Sequence, residues 1–215
     1  MKNEIWELIG IIIGDGNLWT DWKGSFRIEV TGDLKKDRAF FLNRVKPLFS
    51  KFTKNKIVIR ERSNGLRLRV VDKNLFMQLM KLGLKPHLEK LKNLGFLNTL
   101  SLNKRRLVLR GLMDTDGSVV LRSNKQVFLE ISTKSEFLVN WIKESLEQLG
   151  FRVFTTRARN KLGGNLIFRV VTSGKENVDN WINLIGFSNI VKFNRAIEIL
   201  SGTDKGTVAQ PGQLG

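Results

Sequence analysis

Two aspartates, Asp15 and Asp116, end two short segments that repeat one design in the two halves of the chain. In each segment an apolar stretch with two small residues four positions apart leads to the dipeptide Asp-Gly. The small residues are Gly10 and Gly14 in the first segment and Gly111 and Thr115 in the second. As helices, both segments would have a ridge poor in side chains, where two backbones can approach closely. A crossing at these ridges would bring the two carboxylates together.

Such a pair of carboxylates is electrostatically unfavourable without a cation. A carboxylate at the last position of a helix faces the negative end of the helix dipole, which disfavours it by about 0.3–1 kcal/mol. Two adjacent carboxylates also repel each other. A divalent ion offsets both effects, and carboxylates with backbone carbonyls are suitable ligands for Mg²⁺ or Mn²⁺, shared with waters and phosphate oxygens. The pattern therefore indicates metal-dependent hydrolysis of a phosphodiester bond.

The repeat extends beyond these segments. Residues 29–31, Glu-Val-Thr, recur at 130–132 as Glu-Ile-Ser, and residues 66–71 reappear as 166–171. Helical and alternating periodicities follow in the same order in both halves. We expect an α+β fold of two pseudo-symmetric αββαββα halves, over residues 1–100 and 101–200, each with one four-stranded antiparallel sheet. Gly16 is expected to stop the first helix in the left-handed conformation, and residues 201–215 to form a flexible tail.

Charge indicates a polyanionic partner. The chain has 37 Lys and Arg against 20 Asp and Glu, a net charge of +17, spread over both halves. A polar strand face that carries arginines suits double-stranded DNA, whose guanines and phosphates both accept from guanidinium. The two sheets would then form a DNA-binding saddle with the motif helices at the interface. The candidate contacts on the outward face of the strands are Arg27, Arg60, Arg62, Arg67, Arg69, Arg122, Arg157, Arg159 and Arg169.

Other chemistries and locations are disfavoured. The absence of cysteine excludes disulfides and thiolate metal sites, and a single histidine excludes a histidine-based metal site. The start of the chain does not have the pattern of a signal peptide, and no apolar stretch is long enough to span a membrane. We expect a soluble, intracellular protein, cytoplasmic with the nucleoid. Because one chain supplies both copies of the motif, we expect a monomer.

On these residues the chain resembles the single-chain, two-motif LAGLIDADG homing endonucleases, of the kind encoded within archaeal introns. The resemblance covers about residues 5–200. It implies a site-specific double-strand DNA endonuclease that cuts a long, near-palindromic site with a divalent metal. It further implies that Asp15 and Asp116 are the catalytic, metal-binding acids, with the carbonyls of Gly14 and Thr115 as further ligands.

The resemblance also implies basic residues near each scissile phosphate. By position these are Lys90 and Lys192, as catalytic residues, and Lys134, as a DNA contact. Two other functions stay open: an RNA-binding intron maturase that holds intron RNA on the same surface, and a DNA-binding regulator that does not cut. Two adjacent acids bring nothing to a binding module, so their presence favours the endonuclease over the regulator. A bifunctional maturase is compatible with both acids.

Overall fold

The computed structural model describes residues 3–22, 24–86, 91, 93–123, 125–159, 164 and 166–202. Lys90 and residues 203–215 of the expected tail lie outside the described residues. The first half consists of α1 (Ile5–Asp15), β1 (Gly16–Thr20), β2 (Phe26–Asp33), α2 (Arg38–Phe40), a π-helical turn (Phe41–Val45), α3 (Lys46–Ser50), β3 (Ile57–Arg62), β4 (Gly65–Val71) and α4 (Lys73–Lys81).

The second half repeats this order. A 3-10 helix (Gly95–Thr99) precedes it. Its elements are α5 (Leu102–Asp116), β5 (Gly117–Leu121), β6 (Val127–Thr133), α6 (Glu136–Glu147), β7 (Val153–Arg159), β8 (Leu166–Ser173), α7 (Lys175–Leu184) and α8 (Ile190–Ser201). Two four-stranded antiparallel sheets form, in the orders β1-β2-β4-β3 and β5-β6-β8-β7. The predicted α+β architecture of two αββαββα halves is confirmed.

Each sheet has an inner face in the core and an outer face. On the inner face, Ile28 pairs with Val70 and Val30 with Leu68, and all four side chains are fully buried. The first outer face carries Asn17, Trp19, Arg27, Glu29, Thr31, Val58, Arg60, Arg67, Arg69 and Val71. The second outer face carries Ser118, Val120, Phe128, Glu130, Ser132, Phe154, Thr156, Ala158, Ile167, Arg169, Val171 and Ser173. In the first sheet, strand alternation thus places mainly apolar residues inside and mainly polar residues outside, whereas the second outer face carries apolar side chains as well.

When β2 and β6 are aligned, the residues of β4 and β8 that occupy equivalent positions differ from those that the sequence repeat aligns. Thr31 pairs with Arg67 in the first sheet, whereas its repeat partner Ser132 pairs with Arg169 in the second. Arg169 is therefore the structural counterpart of Arg67, and the repeat that aligned it with Arg69 is wrong by two residues. A shift of two residues preserves which side of the sheet a side chain faces.

Two arginines do not stand on the outward face that the sequence analysis expected for them. Arg157 pairs with Phe168 and Arg159 with Leu166, and these positions alternate with Arg169 along the ladder. They project from the face that also carries buried Val170. The expectation failed because nearly all of β7 is solvent-exposed, so no apolar alternation marks its inner side.

The helices α1 and α5 cross at their small residues, as predicted. A Cβ atom placed on Gly10 would lie 2.3 Å from the carbonyl oxygen of Val108, and one on Gly111 would lie 2.4 Å from that of Glu7. Only hydrogen fits at either position. Within the described residues, no helix is both long and apolar enough to cross a membrane.

The expectation for Gly16 is wrong. Its φ is −94° and its ψ 169°, which is extended backbone rather than the left-handed conformation. Glycine is needed instead for space, because a Cβ there would lie 2.5 Å from the Cα of Ile12. The chain turns so sharply from α1 into β1 that the first residue of β1 lies against the last turn of α1.

Candidate functional site

The helix crossing brings the last residues of α1 and α5 side by side. A Cβ on Gly14 would lie 2.1 Å from Oγ1 of Thr115 and 3.2 Å from Oδ2 of Asp116. The Asp116 carboxylate therefore lies against the backbone that immediately precedes Asp15. The Thr115 hydroxyl donates to the carbonyl of Gly111 at 2.9 Å, so it stays folded against its own helix. The predicted meeting of the two acidic helix ends is present.

Asp15 opens onto the first outer face. It lines a cavity of about 360 Å³ together with Gly14, Gly16, Asn17, Glu29, Thr31 and Arg67. The Thr31 hydroxyl donates to the Asp15 carbonyl at 3.2 Å, which ties the end of α1 to β2. Arg67 is thus the cationic residue among those that line this cavity with Asp15.

Asp116 opens in the same way onto the second outer face. Its cavity, of about 260 Å³, is lined by Ile13, Gly14, Leu91, Asp116, Ser132, Thr133, Lys134 and Ile167. Lys134 is the cationic member and is solvent-exposed. The Ser135 hydroxyl donates to the Leu91 carbonyl at 3.2 Å, so the connection between the halves runs beside this cavity. Each aspartate therefore has its own outer face and its own cation.

The donor set at the helix ends suits a divalent metal of the magnesium type. No group of three or more Asp, Glu, His or Cys occurs in the described part of the chain. Mg²⁺ commonly uses one or two protein carboxylates and completes its shell with waters and substrate phosphates. Asp15 and Asp116, with the adjacent carbonyls of Gly14 and Thr115, fit that mode of binding.

Lys192 contacts the carboxyl end of α5. Its Nζ donates to the carbonyls of Met113, Asp114 and Thr115 at 2.7, 2.9 and 2.9 Å. These contacts engage all three ammonium protons and neutralise the negative end of the helix dipole. Burial lowers the pKa of Lys192, while the charges of nearby carboxylates, including Asp15 and Asp116, oppose that shift. The lysine therefore lies near both acids and fixes the backbone that carries one of them.

Asp114 joins α5 to the start of α8. Its carboxylate accepts from the backbone N–H groups of Ser188 at 2.9 Å and Asn189 at 3.1 Å. Asn189 caps α8 through its side chain, which accepts from the N–H of Val191. Burial raises the pKa of Asp114 to about 7, although the two N–H donors oppose this. This carboxylate serves the packing of α8, the helix that carries Lys192.

A buried acid on the other motif helix was missed by the sequence analysis. The side chain of Glu7 is fully buried, and it is paired with Arg44, whose Nε lies 2.7 Å from Oε1. Arg110 lies 3.6 Å from the same carboxylate, and the Ser188 hydroxyl donates to it at 2.8 Å. The hydrogen bonds that Arg44 donates to the Glu7 carboxylate raise the pKa of Arg44. An acid inside an apolar helical stretch was the available signal.

The α8 helix also reaches the first half of the molecule. A cavity of about 620 Å³ is lined by Lys36, Asp37, Thr115, Gly117, Ser118, Val119, Asn189, Val191, Lys192 and Arg195. Lys36 and Arg195 were not among the predicted site residues. Their presence beside Lys192 extends the basic surface from the helix ends towards the β2–α2 loop.

The arginines of the outer faces are held by neighbours. Arg27 pairs with Asp21 and stacks over Trp19 at 4.4 Å. Arg69 pairs with Glu29, and Arg67 lies 3.8 Å from the same carboxylate. On the second outer face, Arg122 pairs with Glu130 at 3.3 Å and stacks over Phe128 at 4.0 Å. Arg60 and Arg169 are exposed, and the backbone of Arg62 pairs with Gly65 at the end of β3.

Comparisons with known proteins agree with this architecture. The family model described as a LAGLIDADG-like domain matches residues 103–186. The archaeal homing endonuclease I-DmoI, crystallised with DNA and Ca, superposes with a TM-score of 0.64 at 20% identity, over 85% of this chain and 88% of that chain. A single-residue variant of I-DmoI, crystallised with its target DNA and Mn, gives 0.65 at 19% identity, over 85% and 93%.

A second kind of protein shares the fold. Full-length DUF199/WhiA from Thermotoga maritima superposes with a TM-score of 0.60 at 16% identity, over 94% of this chain and 60% of that chain. No curated protein matches the sequence. At these identities the likeness shows a common fold and does not show the activity.

Proposed function

We propose that this protein is a site-specific endonuclease that cuts both strands of a DNA duplex with the help of Mg²⁺ or Mn²⁺. The observation that carries the proposal is that the helix ends bearing Asp15 and Asp116 lie side by side at the crossing of α1 and α5, with the Asp116 carboxylate against Gly14. Two carboxylates at helix ends are unfavourable without a cation. I-DmoI was crystallised with DNA and Ca, and its single-residue variant with target DNA and Mn, which supports the same assignment here.

In this proposal the two outer faces bind the duplex and the helix ends lie at its centre. Asp15 and Asp116 would hold the metal, with the Gly14 and Thr115 carbonyls as further ligands. A bound divalent ion supplies activation of the attacking water and stabilisation of the leaving oxygen. Arg67 and Lys134, which line the cavities beside the acids, would neutralise the phosphates of the two strands.

Lys192 has a positioning role in the proposal. Because its three protons are donated to carbonyls of α5, it holds the helix end that carries Asp116. Lys90 keeps its proposed catalytic role from the sequence analysis alone. The arginines of the two outer faces would supply register and base contacts. One chain contains both acids, so the protein would act as a monomer on DNA.

The test is selection of cleaved molecules from a randomised duplex library, in Mg²⁺ and separately in Ca²⁺. We expect one long site, cut on both strands in Mg²⁺. Asp15→Asn and Asp116→Asn should each abolish double-strand cutting and leave affinity for the selected duplex within about threefold. Glu147→Gln removes an exposed carboxylate on α6 and serves as the matched control. Normal cleavage by Asp15→Asn would refute the proposed site.

A second candidate is sequence-specific DNA binding without cleavage. The observation that favours it is the engagement of the Thr115 carbonyl by Lys192, since this carbonyl is one of the four candidate metal ligands. Enrichment of a bound site in Ca²⁺, with no cut product in Mg²⁺ or Mn²⁺, would establish this function instead. Tight, specific binding of RNA with no DNA enrichment would indicate the intron maturase.

A further inference from the structure

The two outer faces differ in chemistry at positions that the strand ladders make equivalent. Arg69 pairs with Glu29, and Val171 pairs with the corresponding Glu130. Arg60 pairs with Arg67, and Thr156 pairs with Arg169, the counterpart of Arg67. At three equivalent positions, the first face has an arginine and the second face has an uncharged residue. These positions are Arg27 and Phe128, Arg69 and Val171, and Arg60 and Thr156.

The first outer face carries several guanidinium groups, which are hydrogen-bond donors. Arg69 and Arg27 are oriented by Glu29 and Asp21, respectively. Arg60 is solvent-exposed and stands directly opposite Arg67. A guanidinium fork matches the two acceptors, O6 and N7, that guanine presents in the major groove. This surface therefore suits a duplex segment that contains guanine.

The second outer face has an apolar centre. Val120, Phe128, Phe154 and Val171 are neighbours on it, because Val120 pairs with Phe128 and Phe154 pairs with Val171. Glu130 lies between the two pairs, because it follows Phe128 on the same face of β6 and stands opposite Val171. Phe154 is 43% exposed, whereas Val171 is 3% exposed and Phe128, which lies under the Arg122 guanidinium, is 6% exposed. An apolar surface bordered by cations has one natural partner in the major groove, the methyl group of thymine.

We propose that the two halves of the protein bind chemically different half-sites. The first outer face contacts guanines through arginine, and the second outer face packs Phe154 on a thymine methyl group. The inference rests on the proposed function only in taking duplex DNA as the ligand. It does not depend on cleavage. The duplex occupant follows from continuity, because Ser132 and Ile167 of the second face line the same cavity as Asp116.

The first experiment measures binding rather than cutting, by selection of bound duplexes in Ca²⁺. We expect guanine enrichment in the half-site under the first face and thymine enrichment in the other. The two exchanged variants Arg60→Thr and Thr156→Arg should change base preference at one position each, in opposite senses. Loss of one bidentate arginine contact lowers discrimination by about 5- to 150-fold. Lys143→Thr, on the exposed side of α6, is the charge-matched control.

The second experiment removes single groups from the DNA. Replacement of thymine by deoxyuridine in the second half-site deletes only the methyl group, and we expect roughly threefold weaker binding for each contacted thymine. The same replacement in the first half-site should have no effect. In Phe154→Thr the sensitivity to deoxyuridine should disappear, whereas Lys143→Thr should keep it.

The outcomes separate the two proposals. Asymmetric base preference without any cleavage would refute the endonuclease and retain this inference. Cleavage of a site whose two halves have the same composition, insensitive to deoxyuridine, would overturn the inference and retain the endonuclease. Failure to enrich any duplex would overturn both.

Discussion

The substitution Gly111→Ala tests the helix crossing on which the site depends. A Cβ at this position would lie 2.4 Å from the Glu7 carbonyl oxygen and 2.7 Å from the Ile11 backbone nitrogen, against 3.4–4 Å for an ordinary contact. Both neighbours are backbone atoms of α1, so neither can rotate away. The two helices must therefore separate by roughly 1 Å to accept a single methyl group.

The expected cost follows from two opposing effects. Overpacking of a close-packed interior costs typically about 1–3 kcal/mol, and immovable backbone neighbours favour the upper end of that range. Alanine in place of glycine within a helix recovers about 1 kcal/mol through higher helix propensity. We expect a net loss of about 2 kcal/mol in the free energy of unfolding, together with loss of double-strand cutting as the two carboxylates move apart.

The assay is urea denaturation followed by tryptophan fluorescence, with the m-value checked for a change in the extent of unfolding. Gly95→Ala is the matched control, because a Cβ at that position meets nothing within 4 Å and the backbone is not left-handed. It should leave stability unchanged or raise it by up to about 1 kcal/mol. If Gly111→Ala unfolds at the same urea concentration as Gly95→Ala, the close-contact argument is refuted.

Three further predictions concern polar groups. Lys192→Met leaves three helix carbonyls without their ammonium donor and should lower the free energy of unfolding by about 2 kcal/mol, measured by urea denaturation; an unchanged midpoint would contradict its positioning role. Glu7→Gln leaves a partly buried Arg44 without its counter-charge and should cost about 3–5 kcal/mol, and a loss below 1 kcal/mol in the same assay would contradict this. Arg169→Ala should weaken duplex binding more than Arg157→Ala and should also reduce its salt dependence more, because the two side chains project from opposite faces of the sheet. Equal effects of the two substitutions in a salt titration would contradict the assigned faces.

The motif helices and the inner faces of the sheets were predictable because local patterns determine them. Apolar alternation in β2 identifies the face of the strand that packs in the core, and the small residues of α1 identify the face that packs against another helix. The register between β6 and β8 was not predictable from the repeat, because non-consecutive strands pair through contacts that no local pattern encodes. The matching segments 66–71 and 166–171 consequently sit two residues out of step.

At the candidate site, the residue types were predictable and several of their contacts were not. Asp15 and Asp116 were marked by the repeated motif itself. Lys192 was marked by position, but its donation to the end of α5 depends on how α8 packs, which only the folded structure gives. Glu7 carries no motif, and its burial becomes apparent only when Arg44 and Ser188 are found beside it.

The crossing of α1 and α5 also governs how the chain folds. The strand hairpins join residues that are close in sequence, so they can form early and independently. The contact between Gly10 and Val108 instead closes a loop of about a hundred residues, which carries a high entropic cost before any packing is gained. Both helices bury their apolar sides in one common core. We therefore expect the two halves to gain stability together, because either half alone would leave the contact face of its motif helix uncovered.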